Sequence, residues 1–136
     1  MNRFSMVECN PLTTSMEHNL KLTSIERKKF EDATKYRQLI RSLNYLTTTR
    51  PDISFVVRIL SRFMQKPCEG HWSAAKRVVK YLKGTQVFGI KCTQVDEFNL
   101  IGYSDSYFDG DEETRVSTSS YVMSLGSGVV SYRSHK

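Results

Sequence analysis

Cysteine and proline are scarce in this chain, three of each in 136 residues, and tryptophan occurs once. Cys9, Cys68 and Cys92 are odd in number and widely scattered, which suggests neither a disulfide framework nor a zinc site. Buried free thiols are the expectation. No apolar run approaches the roughly 18 residues of a membrane span, and the opening "MNRFSMVECNPL" has no stretch like a secretory leader. An intracellular protein, in cytoplasm or nucleus, is therefore expected. Internal repeats and low-complexity tracts are also absent.

Acidic side chains are lacking in the middle of the chain. Residues 35–93 carry twelve basic and two acidic groups, whereas residues 1–34 carry five of each and residues 94–136 carry three basic and seven acidic. The overall charge of +6 hides this asymmetry. A strongly basic middle joined to an acidic end points to a polyanion partner. The remaining composition, 39% hydrophobic and 25% charged, is that of a globular chain forming one domain or two small pieces.

Periodicity divides the chain further. Residues 1–34 mix Asn, Thr, Ser and Pro with irregular apolar positions and read as an extended arm, with a short helix near 24–32. Tyr36, Leu39, Ile40, Leu43 and Leu46 then follow the spacing of one helical face. "TTTRPD" ends that helix, and Pro51 with Asp52 starts a second, whose stripe is Ile53, Val56, Val57, Leu60, Phe63 and Met64. After Pro67 a third helix begins around 69–72, buries Trp72, Ala75, Val78, Val79 and Leu82, and ends at Gly84 in a left-handed turn. Three amphipathic helices with short joints predict a small bundle over 35–85. From 86 onward the period changes to that of strands, expected at 87–92, 99–104, 117–125 and 128–133, with a tight hairpin at "GSG". The fold class is α+β: a helical bundle followed by an antiparallel meander.

Lys76, Lys80 and Lys83 share one side of the third helix with Arg77 adjacent, and Arg58 and Arg62 lie one turn apart on the second. Most such runs are simply solvated faces, but side by side these six cations could release counterions from a phosphate backbone. Asp105 ends a strand-like approach and precedes a carboxylate cluster, Asp109, Asp111, Glu112 and Glu113, which reads as a solvated turn. His18, His71 and His135 do not converge by spacing; His71 beside Trp72 reads as a helix-start contact. Ser104 has no histidine in its sequence context to make it a nucleophile.

The stretch "YRQLIRSLNYLTTTRPDISFVVRILSRFMQKPCEGHWSAAKRVVKYLKGT", residues 36–85, resembles the C-terminal part of reverse transcriptase in copia-type (Ty1/copia) retrotransposon Pol polyproteins. That family carries in order Y-R-x-L-x-x-S-L-x-Y-L, R-P-D-I and H-W-x-A-A-K-R-V-x-x-Y-L-K-G-T blocks. The likeness runs back through "RFSMVECNPLTTSME" and forward into "GYSDSYFDGDEETRVSTSSYVMSLG", which resembles the start of the family's ribonuclease H domain.

The resemblance implies a thumb or connection-like bundle over 35–85 and incomplete, ribonuclease H-like strands over 86–136. The family's magnesium-binding Y-x-D-D polymerase motif is missing from these residues. Asp105 stands where the first ribonuclease H carboxylate is expected, but a two-magnesium site needs further carboxylates converging from other elements. Asp105 is thus a vestigial catalytic position and a metal ligand only if the missing ligands are supplied; no cofactor is expected for this chain alone. The chain also departs from the family's Y-S-D-A-D-W-A-G run, with Tyr107, Phe108 and Asp109 in place of Asp, Trp and Ala.

The leading expectation is a non-catalytic piece of a Pol polyprotein that binds an RNA–DNA or DNA duplex weakly through its backbone, by way of Arg58, Arg62, Lys76, Arg77, Lys80 and Lys83. One alternative is part of an active reverse transcriptase and ribonuclease H completed by other segments. Another is a retroelement-derived interaction protein such as a secreted pathogen effector, although no leader and no Arg-x-Leu-Arg motif stand near the start. An open sheet edge near the end of the chain would permit self-association.

Overall fold

Asp32 sets the first helix. Its carboxylate accepts the Lys35 N–H at 2.8 Å, satisfying one of the amides a helix start leaves without a partner, and α1 runs Ala33–Leu46 behind it. The computed structural model describes residues 9–17, 28–94, 99–107 and 118–135. Of the helix expected near 24–32, residues 24–27 lie outside this set. Residues 28–32 are not helical: Lys29 bridges Cys68, and Asp32 is the cap of the next element.

The chain divides into two units, one ending at Phe88 and the other beginning at Gly89. In the first, α1 buries Tyr36, Leu39, Ile40 and Leu43, the face its spacing predicts, while Leu46 at the helix end is exposed. The threonine turn follows, and Arg50 leaves helical geometry with φ −127°, as the residue before a proline must. Pro51 does not open the second helix directly. Pro51–Ile53 form a turn of 3-10 helix, and α2 spans Ser54–Ser61. Ile53, Val56, Val57 and Leu60 are buried against α1, where the Tyr36 hydroxyl donates to the Leu60 carbonyl at 2.8 Å.

The third helix, α3, spans Glu69–Gly84. Cys68 and His71 cap it reciprocally: the cysteine sulfur accepts from the His71 amide, and the His71 Nδ1 accepts the Cys68 N–H at 3.0 Å. The His71 ring is fully buried and stacked on Phe63 at 3.8 Å, so its expected role at the helix start is borne out. Phe30 stacks on Trp72 at 4.8 Å. Trp72, Ala75, Val78 and Val79 complete a core shared by all three helices, against which Met64 and Leu82 pack in part.

Gly84 departs from expectation. Its φ is not positive, and the helix cap is Thr85. The glycine is required for another reason: an added Cβ would lie 2.9 Å from the Leu12 carbonyl oxygen and 3.2 Å from the Pro11 Cβ, because the 9–17 segment passes directly over it.

The second unit holds a three-stranded antiparallel sheet in the order β1 (Leu100–Tyr107), β2 (Thr118–Leu125), β3 (Gly128–His135). Two of the three strands exceed their expected lengths, because pairing continues to Tyr107↔Thr118 and Ser119↔His135. Leu125 pairs with Gly128 across a two-residue loop in which Gly126 has φ 59°, the left-handed conformation a tight hairpin demands. A bulge between Met123 and Ser124 leaves Val130 without an opposite residue.

The strand expected at 87–92 does not form. Residues 85–87 make a turn closed by the Phe88 N–H on the Thr85 carbonyl, and Val87 and Phe88 are exposed, so alternation there has no apolar surface to bury. The chain next to it is held by side chain instead: Ser127 Oγ accepts from the Thr93 N–H and donates to the Thr93 carbonyl, each at 2.8 Å. Gly128 makes room for this, since an added Cβ would lie 2.8 Å from the Cys92 sulfur. The fold class is α+β, as expected.

Candidate nucleic-acid interface

The six basic residues singled out from the sequence sit in three different settings. Arg58 lies half-buried on α2, and Arg62, just past the end of that helix, is exposed. Burial, and then the like charge of Arg62, lower the pKa of Arg58.

Lys76 lies half-buried on α3 with its ammonium 5.9 Å from the centre of the Trp72 ring, and Lys35 of α1 approaches the same ring at 5.7 Å. Each is a cation–π contact. The one tryptophan therefore gathers two cations, which the spacing of Lys76 on its own helix does not reveal.

Arg77, Lys80 and Lys83 meet the 9–17 segment. The Arg77 guanidinium donates to Glu17 Oε1 at 2.8 Å and to Thr14 Oγ1 at 2.9 Å. Lys83 Nζ donates to the Cys9 carbonyl at 2.9 Å, and the Leu12 N–H donates to the Lys80 carbonyl at 3.3 Å. Sequence reasoning treated 1–34 as an arm with no site of its own and missed Glu17 as a partner. Sixty positions separate it from Arg77, and no periodicity links them.

A second set of residues, also unforeseen, ties the start of α2 to the end of α3. Arg50 is only 7% exposed. It donates to both carboxylate oxygens of Asp52, and also to the Thr85 carbonyl at 2.9 Å and Thr85 Oγ1 at 2.7 Å. Tyr81 donates its hydroxyl to Asp52 at 2.8 Å, and Thr85 Oγ1 returns a bond to the Tyr81 carbonyl. Each nitrogen of the buried guanidinium has an acceptor, the condition for keeping such a charge inside.

In the sheet unit Asp105 lies on β1 opposite Ser120 and is exposed. Asp109, Asp111, Glu112, Glu113 and His18 lie outside the described residues. Among the described residues no group of three His, Cys, Asp or Glu side chains is placed to hold a metal ion. Asp105 with its described neighbours thus does not fit a magnesium site. No helix among the described residues is long and apolar enough to cross a membrane.

Over 134 residues, 98% of its length, the chain is 40% identical to the Retrovirus-related Pol polyprotein from transposon RE2 of Arabidopsis thaliana, and 41% identical to that from transposon RE1. It belongs to the copia-type retrotransposon Pol family. The chain spans 9% of the length of each of these two polyproteins. It is also 44% identical over 102 residues to the Secreted RxLR effector protein 161 of Plasmopara viticola, matching 74% of this chain and 72% of that protein. No family model and no solved structure matches the chain.

The buried network joins two stretches that are far apart in the sequence. The R-P-D-I block supplies Arg50 and Asp52, and the Y-L-K-G-T block supplies Tyr81 and Thr85. The two blocks are two halves of one hydrogen-bonded joint.

Proposed function

We propose that this chain forms the helical thumb or connection region of a copia-type reverse transcriptase, together with the first strands of a ribonuclease H-like domain. In this reading it works without catalysis, by holding the backbone of a nucleic-acid duplex. The order of the motif blocks and the match to Pol polyproteins across 98% of the chain support the placement. The observation that carries the binding role is the Arg58–Arg62 pair. Arg58 is half-buried and Arg62 exposed four residues further on, and a phosphate backbone would neutralise both. Lys76, Lys80, Arg77 and Lys83 on α3 would extend the contact. Asp105 would contribute to a magnesium site only with carboxylates from elsewhere.

Such binding is blind to sequence and weakens with salt, because each phosphate neutralised releases counterions. Titration of a labelled DNA duplex and an RNA–DNA hybrid at low and raised salt tests it. Affinity at low salt that falls steeply as salt rises is the expected result; no affinity at low salt ends the reading.

The 44% identity to a protein named as a secreted effector favours a second reading, in which the same helical unit serves as a protein-interaction module. That reading expects no duplex affinity and a protein partner whose binding is insensitive to salt. Among the described residues β1 and β3 are the outer strands of the sheet, and self-association through them is proposed for the unit beginning at Gly89.

A further inference from the structure

We propose that the 9–17 segment is an intramolecular competitor for the basic side of α3, with the Glu17 carboxylate resting on Arg77 where a nucleic-acid phosphate would otherwise bind. The inference rests on the duplex-binding reading above and adds a regulator to it. Arginine offers a planar fork of donors that suits two oxygens at once, and phosphate is the usual polyanionic occupant. Here the fork is filled from within, by Glu17 Oε1 at 2.8 Å and Thr14 Oγ1 at 2.9 Å.

The rest of the segment is built to stay in place. Cys9 and Met16 pack against the helical core. Leu12 donates its amide to the Lys80 carbonyl, and the Cys9 carbonyl takes a bond from the Lys83 ammonium. Gly84 removes the one side chain that would push Leu12 away. Two apolar anchors thus hold the ends, and the polar clasp on Arg77 lies between and beside them.

The clasp itself is weak by design of its surroundings. The Glu17 side chain is 58% exposed and that of Arg77 24%, and ion pairs open to water contribute little. A duplex bringing many phosphates can displace one exposed carboxylate and so loosen the segment behind it. Arg77 would be recruited once that carboxylate is displaced.

The test measures anisotropy of a labelled DNA duplex at low salt with the full chain, Glu17→Gln, Arg77→Gln and the double variant. Removing one exposed ion pair should tighten binding by about two- to five-fold. Arg77→Gln should abolish that gain. In the unaltered chain, amide exchange at Leu12 should accelerate when duplex is bound. If the unaltered chain binds duplex, but Glu17→Gln does not change affinity or Leu12 stays equally protected, the competitor role is overturned while duplex binding stands. If neither the chain nor Glu17→Gln binds duplex, both readings fall together.

Discussion

Arg50 and Asp52 face each other across Pro51 and share two hydrogen bonds, Nε to Oδ1 at 2.9 Å and Nη2 to Oδ2 at 2.7 Å. The same guanidinium reaches Thr85, 35 positions away, at the end of α3. A single side chain therefore fixes where α2 begins relative to where α3 ends. Arg50→Lys should be poorly tolerated although it keeps the charge, because an ammonium cannot reproduce the paired donors. A loss of roughly 2–3 kcal/mol is expected from the broken charged hydrogen bonds, read as a lower urea midpoint with an unchanged slope.

Asp52 gives this joint a pH dependence. The Arg50 hydrogen bond, aided by that from Tyr81 and opposed by burial, holds the Asp52 carboxyl below the usual carboxylate range. A depressed folded-state pKa means that the contribution is complete above the unfolded value of about 3.9. It is lost as pH falls through the lower folded value. Urea midpoints between pH 6 and pH 2 should therefore fall in the acid region, and Asp52→Asn should flatten that part of the fall. Identical acid profiles for the two proteins would show that Asp52 is not involved.

Tyr36 sets the opposite limit. Burial raises its phenol pKa well above the ordinary value, so the neutral hydroxyl is stable in the core below the unfolded pKa of about 10 and its contribution is lost as pH rises through the raised folded value. Tyr36→Phe removes the bond to the Leu60 carbonyl, which keeps the Phe63 N–H as a partner. The expected cost is about 1 kcal/mol, and thermal melts of the two proteins above pH 10 should converge.

Gly84→Ala tests the close passage of the 9–17 segment. On an isolated helix alanine is favoured over glycine by about 1 kcal/mol. Here the new Cβ would meet backbone at 2.9 Å, and the overpacking cost of about 1–3 kcal/mol outweighs the gain. Lower stability and faster exchange at the Leu12 amide are expected; a more stable variant would contradict the packing described.

Asp105→Asn should leave the fold as it is. The residue is exposed on an outer strand opposite Ser120, and substitutions of this kind stay within about 0.5 kcal/mol. Calorimetry of the two proteins checks it.

The helical unit was largely legible because each helix announces itself by spacing: Tyr36, Leu39, Ile40 and Leu43, then Val56, Val57 and Leu60, then Ala75, Val78 and Val79 all bury as their period demands. The three strands and the hairpin were legible from their own pattern, with "GSG" supplying the positive φ at Gly126. Residues 87–92 misled because β-favouring residues form a strand only when a neighbour and an apolar surface are available, and Val87 is 94% exposed. Gly84 misled because glycine answers two different demands, a left-handed turn and a close approach, and sequence does not distinguish them.

The sequence by itself determined the α+β class, the helical core, the concentration of basic charge and the family, since these depend on local period, composition and the order of motifs. Only the tertiary structure decided which cations are engaged and by what. Glu17 meets Arg77, and Arg50 meets Thr85, through folding that brings together positions 60 and 35 residues apart. Hydrogen bonds act over about 3 Å, so such partnerships leave no trace in the spacing of the residues that make them.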